Sequence, residues 1–189
     1  SECAKQSSLF KHFDIRTIFN SINTDEFVPV DKYIARNILG LPDKKKIILT
    51  GAQNLDDFHK GFPNYLKAIQ LLNNKTDKYL LFFGKLDENI VMKSGFECKS
   101  FGFLEDSISL RLVYSASDVF VAPTLIDAFG KTLAEAMACG TPVVSFDVAG
   151  PKDIVDHKIN GYKASPYMAE ELAAGIEWVL FDESRHKRL

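Results

Sequence analysis

Residues 127–150, DAFGKTLAEAMACGTPVVSFDVAG, decide the fold. A turn bearing Asp127 and Gly130 leads into the helical pattern Gly130–Cys139, which Gly140 and Pro142 stop. The apolar run Val143–Phe146 then reads as a buried strand. Immediately upstream, Val119–Ala122 is another apolar strand, so the stretch completes a strand–helix–strand unit. Uninterrupted apolar strands around a helix argue for a parallel sheet covered on both faces.

The same alternation continues outward. Lys46–Thr50, Tyr79–Phe83 and a weaker run at 96–101 read as strands, and residues 14–19 as another short one. Residues 31–39 look helical, ended by Gly40 and Pro42. Residues 61–73 carry Phe62, Leu66, Ile69 and Leu72 on one stripe. Asp106 or Ser107 caps a helix to about Ser115, with Ile108, Leu112 and Val113 on its apolar face. Met168–Leu180 is a last amphipathic helix. The expected class is α/β: a Rossmann-like three-layer sandwich on a parallel sheet, with right-handed crossovers.

Bulk properties narrow the function. With 189 residues, 46% of them hydrophobic, the chain can fill one core without staples. A net charge of −2, with both signs mixed along the chain, excludes the basic stripe of a nucleic-acid binder. No apolar run reaches the ~20 residues of a membrane span. Cys3, Cys98 and Cys139 lack metal-ligand spacing and read as free thiols in a reducing compartment. His12, His59, His157 and His186 are scattered, so no metal is expected. The chain reads as a piece of a longer protein. Residues 1–12 are expected to be the tail of a preceding domain or linker, and 13–189 the domain itself.

In such sheets, ligands sit beyond the carboxyl ends of the strands. The loops at 51–60, 84–87, 102–105, 123–130 and 147–152 all follow strands and should converge on one rim. Gly51 heads the first of them. Phe129-Gly130-Lys131-Thr132-Leu133 opens a helix, whose first turn carries unpartnered N–H groups and a positive partial charge. A diphosphate can satisfy that end, although a plain helix start would look the same. Glu135, one to two turns in, can accept from a ribose diol or be a dipole-favoured surface acid. Asp127 can accept from sugar hydroxyls or cap the turn. Lys60, before Gly61, offers a compact charge to a phosphate or is simply solvated. Gly102, Phe103 and Leu104 can wall a base or merely end a strand.

At these residues the chain resembles a known family. Asp127, seven residues, then Glu135-Ala-Met-Ala-Cys-Gly-Thr-Pro-Val143 resembles the donor-site signature of the retaining glycosyltransferases of family 4. These are GT-B enzymes, also called glycosyl transferases group 1. Further segments match in order. They are Phe19 to Phe27, Lys60-Gly61, Phe101-Gly102, Ser115 to Thr124 and Gly150 to Gly161. The resemblance covers nearly the whole chain and implies the C-terminal, donor-binding domain. It implies Glu135 on the nucleotide ribose and Asp127 on the donor sugar. It further implies Lys60 and the amides of Phe129–Leu133 on the diphosphate, and Gly102 to Leu104 against the base. Asp127, Glu135 and Lys60 would be the catalytic set. No metal or cofactor is implied. The donor would be a UDP- or GDP-linked sugar, transferred with retention to an acceptor glycan or lipid-linked sugar held by an N-terminal domain. Such enzymes often build surface polysaccharide or lipopolysaccharide in the cytoplasm, at the inner membrane face.

This chain departs from that pattern. Asp127 replaces the usual Glu, one methylene longer. The loop 51–59, GAQNLDDFH, lacks the arginine often found before the lysine, so phosphate binding leans on Lys60 and Lys131. The acceptor domain and the closing C-terminal helix are expected to lie outside the chain, leaving these residues with weak donor binding and little transfer. The alternatives are a nucleotide-sugar epimerase-like domain and a non-catalytic sugar-nucleotide binder.

Overall fold

Six parallel strands form one sheet in the order β3-β2-β1-β4-β5-β6. They are β1 (Lys46–Asn54), β2 (Lys78–Lys85), β3 (Glu97–Ser100), β4 (Val119–Ala122), β5 (Val143–Phe146) and β6 (Gly161–Ala164). The helices are α1 (Glu2–Gln6), α2 (Lys32–Leu39), α3 (Phe62–Gln70), α4 (Ser107–Ala116), α5 (Lys131–Ala138), α6 (Ala149–Ile154) and α7 (Ala169–Phe181). This computed structural model describes residues 2–16, 18, 20–87, 89 and 94–182.

Alternation along the strands splits the core into two layers. Ile48, Leu80, Phe82, Val121, Val144 and Phe146 face α3 and α7, packing on Phe62, Tyr65, Ile69, Leu172, Ile176 and Val179. Ile47, Leu49, Leu81, Phe83, Phe120 and Val143 face α2, α4 and α5, with Ala35, Val113, Tyr114, Leu133 and Ala136. Strands buried on both faces must be apolar throughout, and β4 and β5 bury every residue.

The strand order reverses direction between β1 and β4. Their ladder covers only Ile48↔Val119 and Leu49↔Phe120, whereas β1 and β2 stay paired as far as Asn54↔Lys85. Beyond Leu49, the Thr50 hydroxyl donates to the Val121 carbonyl at 2.8 Å and holds the two strand ends together. A crevice at this switch point is where α/β sheets place ligands.

At the opposite end of the sheet a buried ion cluster fixes α2. Arg36 donates to Asp118 at 2.7 Å and to the Ala116 and Asp43 carbonyls at 2.9 and 2.7 Å. Lys32 reaches the other oxygen of Asp118 at 2.9 Å, and the Ile47 amide donates to this carboxylate at 2.7 Å.

Three expectations need correction. Residues 14–19 form no strand among those described, because both sheet edges belong to β3 and β6; Ile18 is 91% exposed. Ile108 is also exposed, and the buried side of α4 runs instead through Val113, Tyr114, Ser115 and Ala116. Helix α6 takes up part of the loop expected at 147–152, and strand β6 stands where the sequence reading names no element.

Candidate functional site

Two adjoining cavities open at the carboxyl ends of the strands, with volumes of about 300 and 520 Å³. Both lie within the usual range for small-molecule sites, about 300–1,000 Å³. The first sits at the β1/β4 switch point, among Gly51, Lys60, Thr124, Asp127 and Gly130. The second lies among Phe83, Phe103, Leu104, Glu105, Leu110 and Glu135. They share Ala52, Gln53, Lys131 and Thr132, so the start of α5 forms the ridge between them.

Backbone geometry builds the first cavity. A short 3-10 turn, Phe58–Lys60, delivers the lysine, and Gly61 follows with φ of +65°. A Cβ at Gly61 would lie 1.9 Å from the Pro123 carbonyl oxygen, so only glycine lets the loops after β1 and β4 touch. The Leu125 amide then donates to the His59 carbonyl at 2.8 Å, stitching those loops together. Gly130 turns the chain into α5 with φ of +92°.

Lys60 Nζ lies 3.1 Å from Asp127 Oδ2, with both side chains partly buried. Asp127 Oδ1 accepts from the amides of Phe129 and Gly130 at 3.2 and 2.9 Å. Burial would raise the Asp127 carboxyl, but these amides and the Lys60 ammonium outweigh it and hold it below the usual carboxylate range. Asp127 therefore caps the turn while facing the cavity. The Leu133 amide donates to the Gly130 carbonyl at 3.0 Å. Of the amides from 129 to 133, those of Lys131 and Thr132 stand in the first turn, where a helix supplies no acceptor.

Glu135 is 4% exposed, so it is no surface acid. Its Oε2 accepts from the Tyr114 hydroxyl at 3.0 Å, and Oε1 lies 3.4 Å from Lys131 Nζ. Lys131 itself is mostly exposed, a cation at a positive helix end and N-terminal to its acid. Neither feature favours it locally, and it lines both cavities. Phe103 and Leu104 wall the far side of the second cavity, Phe103 half-exposed. Gly102 stands behind them with φ of +64°, its carbonyl accepting from Gly84 at 2.6 Å. Phe129 lines neither cavity, and Leu133, though in the wall of the first, is a core residue with no exposure.

The structure thus gathers Gly51, Lys60, Asp127, Gly130, Lys131 and Thr132 around one cavity and Phe103, Leu104 and Glu135 around its neighbour. Sequence reading missed Gln53, which lines both, and Tyr114 behind Glu135. Gln53 was legible as a polar residue in the first loop. Nothing in the spacing of the sequence singles out Tyr114.

Residues 31–189 match the family model for glycosyl transferases group 1. The chain belongs to this family. A Methanocaldococcus jannaschii glycosyltransferase, MJ1607, is 30% identical over 179 residues, covering 89% of this chain and 45% of its own. Sucrose-phosphate synthase of Thermosynechococcus elongatus superposes with a TM-score of 0.86 at 28% identity, over 99% of this chain and 48% of its own. HepE of Anabaena, solved with UDP and glucose, has a TM-score of 0.76 at 20% identity over 92% of this chain and 49% of its own, which shows the shared fold. The chain spans about half the length of these relatives. The fold is that of a GT-B glycosyltransferase C-terminal domain. Among the described residues, no helix is long and apolar enough to cross a membrane.

Proposed function

We propose that this domain binds the nucleoside-diphosphate-sugar donor of a retaining, family 4 glycosyltransferase. The observation that carries the reading is the pair of cavities meeting at the start of α5. One is lined by cations and an acid, and the other by an aromatic, a leucine and a buried acid. A diphosphate laid across the ridge would meet the Lys131 and Thr132 amides, Lys60 and the Lys131 ammonium. The nucleoside would fall in the larger cavity, its base against Phe103 and Leu104 and its ribose on Glu135. The transferred sugar would lie by Asp127. The UDP and UDP-glucose bound to HepE make UDP the first base to test.

In this reading, catalysis is positioning and electrostatic stabilisation. The acceptor hydroxyl attacks the anomeric carbon on the face from which the diphosphate leaves, and its proton passes to the departing phosphate oxygen. The C–O bond to phosphate breaks as the new glycosidic bond forms. Lys60 and the helix end hold the charge that develops on the diphosphate, so no metal or cofactor is needed. The acceptor, a glycan or lipid-linked sugar, would be held by another domain. Surface polysaccharide or lipopolysaccharide synthesis on the cytoplasmic side of a membrane is the setting this chemistry suits. The 189 residues alone would transfer little.

Calorimetric titration with UDP and GDP tests the reading. Saturable binding of one of them is expected, weakened by ~1 kcal/mol or more in Glu135→Ala. Absence of saturable binding to the wild-type chain would overturn the donor-site assignment.

A further inference from the structure

We propose that Tyr114 is a positioning residue for the donor, its phenol holding the Glu135 carboxylate in the orientation that receives the ribose hydroxyls. The inference rests on the donor-site reading above. Tyr114 is fully buried in α4, and its hydroxyl donates to Glu135 Oε2 at 3.0 Å. The ring is clamped by aromatic neighbours. Phe83 and Phe120 meet it edge to face at 5.8 and 5.5 Å, and Phe27 is tilted at 6.5 Å. The Tyr114 carbonyl accepts from the Thr141 hydroxyl at 2.7 Å, which fixes the backbone as well. The phenol therefore cannot swing away from the carboxylate.

The direction of the bond is also fixed. Burial, together with the adjacent Glu135 carboxylate, pushes the phenol well above its ordinary range, so it remains a donor at any working pH. A carboxylate offers about four acceptor positions, and Tyr114 takes one on Oε2. Oε1 lies on the Lys131 side, where the two cavities meet. The terminal torsion of a glutamate is broad and roughly two-fold. Without the phenol, the carboxylate can turn in its pocket and lose its aim at a diol. A purely structural hydrogen bond would instead affect every ligand alike.

Tyr114→Phe removes one oxygen and keeps the aromatic packing. We would titrate the wild-type chain and this variant with UDP, GDP and their 2′,3′-dideoxy counterparts. The expected result is a loss of about tenfold in the affinity of the preferred ribonucleotide. The dideoxy nucleotide should bind wild type and variant equally. Adding Tyr114→Phe to Glu135→Ala should cost nothing more. Equal losses for ribose and dideoxyribose ligands, or additive losses in the double variant, would overturn the role of Tyr114 while leaving the donor site standing. A wild-type chain that binds both sugars equally would overturn the ribose assignment of Glu135, and this inference with it.

Discussion

Replacing Lys60 with methionine should separate ligand binding from folding. Lys60 Nζ sits 3.1 Å from Asp127 Oδ2, with the side chains 29% and 24% exposed. At that separation the gross attraction is about 5 kcal/mol at an effective dielectric constant of about 20. Desolvation, side-chain ordering and solvent screening reduce the net value to about 0.5–1 kcal/mol. Asp127 keeps its amide bonds from Phe129 and Gly130, so the variant leaves no orphaned carboxylate. Methionine also retains most of the apolar stem. For the diphosphate, no arginine in the loop 51–59 can stand in for Lys60, and only the start of α5 would remain to hold it. A charge-assisted contact is worth ~1.5–3 kcal/mol, or roughly 10- to 150-fold in Kd. Urea unfolding and UDP titration, run on the same samples, measure the two effects. A Kd within about threefold of wild type would refute the assignment of Lys60 to the diphosphate. A folding loss above about 3 kcal/mol would instead make the pair a structural anchor.

Two other perturbations probe the frame of the site. Asp118→Asn leaves the buried Arg36 guanidinium without its carboxylate, and urea unfolding should show a loss of about 3–5 kcal/mol. Burial would raise the Asp118 carboxyl, but Lys32, Arg36 and the Ile47 amide hold it below its ordinary value. Its folded pKa then lies under the unfolded value of about 3.9, so its contribution is complete above that pH and fades as pH falls through the folded pKa. Below about pH 4 the variant should therefore lose stability less steeply than wild type; parallel slopes would exclude Asp118 as a source of acid sensitivity. Gly61→Ala should cost more than the ~1–2 kcal/mol of a left-handed residue, because its Cβ also meets the Pro123 carbonyl. Thermal unfolding reads the folding cost and UDP titration the parting of the loops; unchanged values in both would show that they need not touch.

The strand–helix–strand run from 119 to 146 was legible almost residue by residue, because strands buried on both faces leave no polar position to blur the pattern. The first strand ran longer than expected, to Asn54, because β2 keeps pairing with it beyond a register shift. Gly161-Tyr-Lys-Ala164 escaped notice for the opposite reason. It is a short edge strand, so a lysine and a tyrosine stay half-exposed and the apolar run is broken. Helix α6 hides behind Gly150-Pro151, a pair that reads as a stop, although proline is tolerated in a first helical turn. The loop residues of the site were legible because strand ends converge on one rim. The partnership of Tyr114 with Glu135 was not. The two lie 21 residues apart, and a phenol beside an apolar stripe looks like packing until its hydroxyl is traced.

Two buried acids in this domain show how charge partners separate frame from site. Asp118 faces two cations at 2.7 and 2.9 Å and an amide at 2.7 Å, and the whole cluster lies at the sheet end away from the cavities. Its charge is compensated by the protein's own groups, which is what an anchor requires. Glu135 is equally buried, yet it meets a neutral phenol and a mostly exposed lysine 3.4 Å away. Burying a carboxylate with such modest compensation costs stability that a methionine or leucine at that position would not. The arrangement makes sense if the remaining acceptor capacity of Glu135 is used by hydroxyls that arrive with a ligand. Glu135 also lines a cavity beside a helix start suited to phosphate, in keeping with the ribonucleotide donor proposed above.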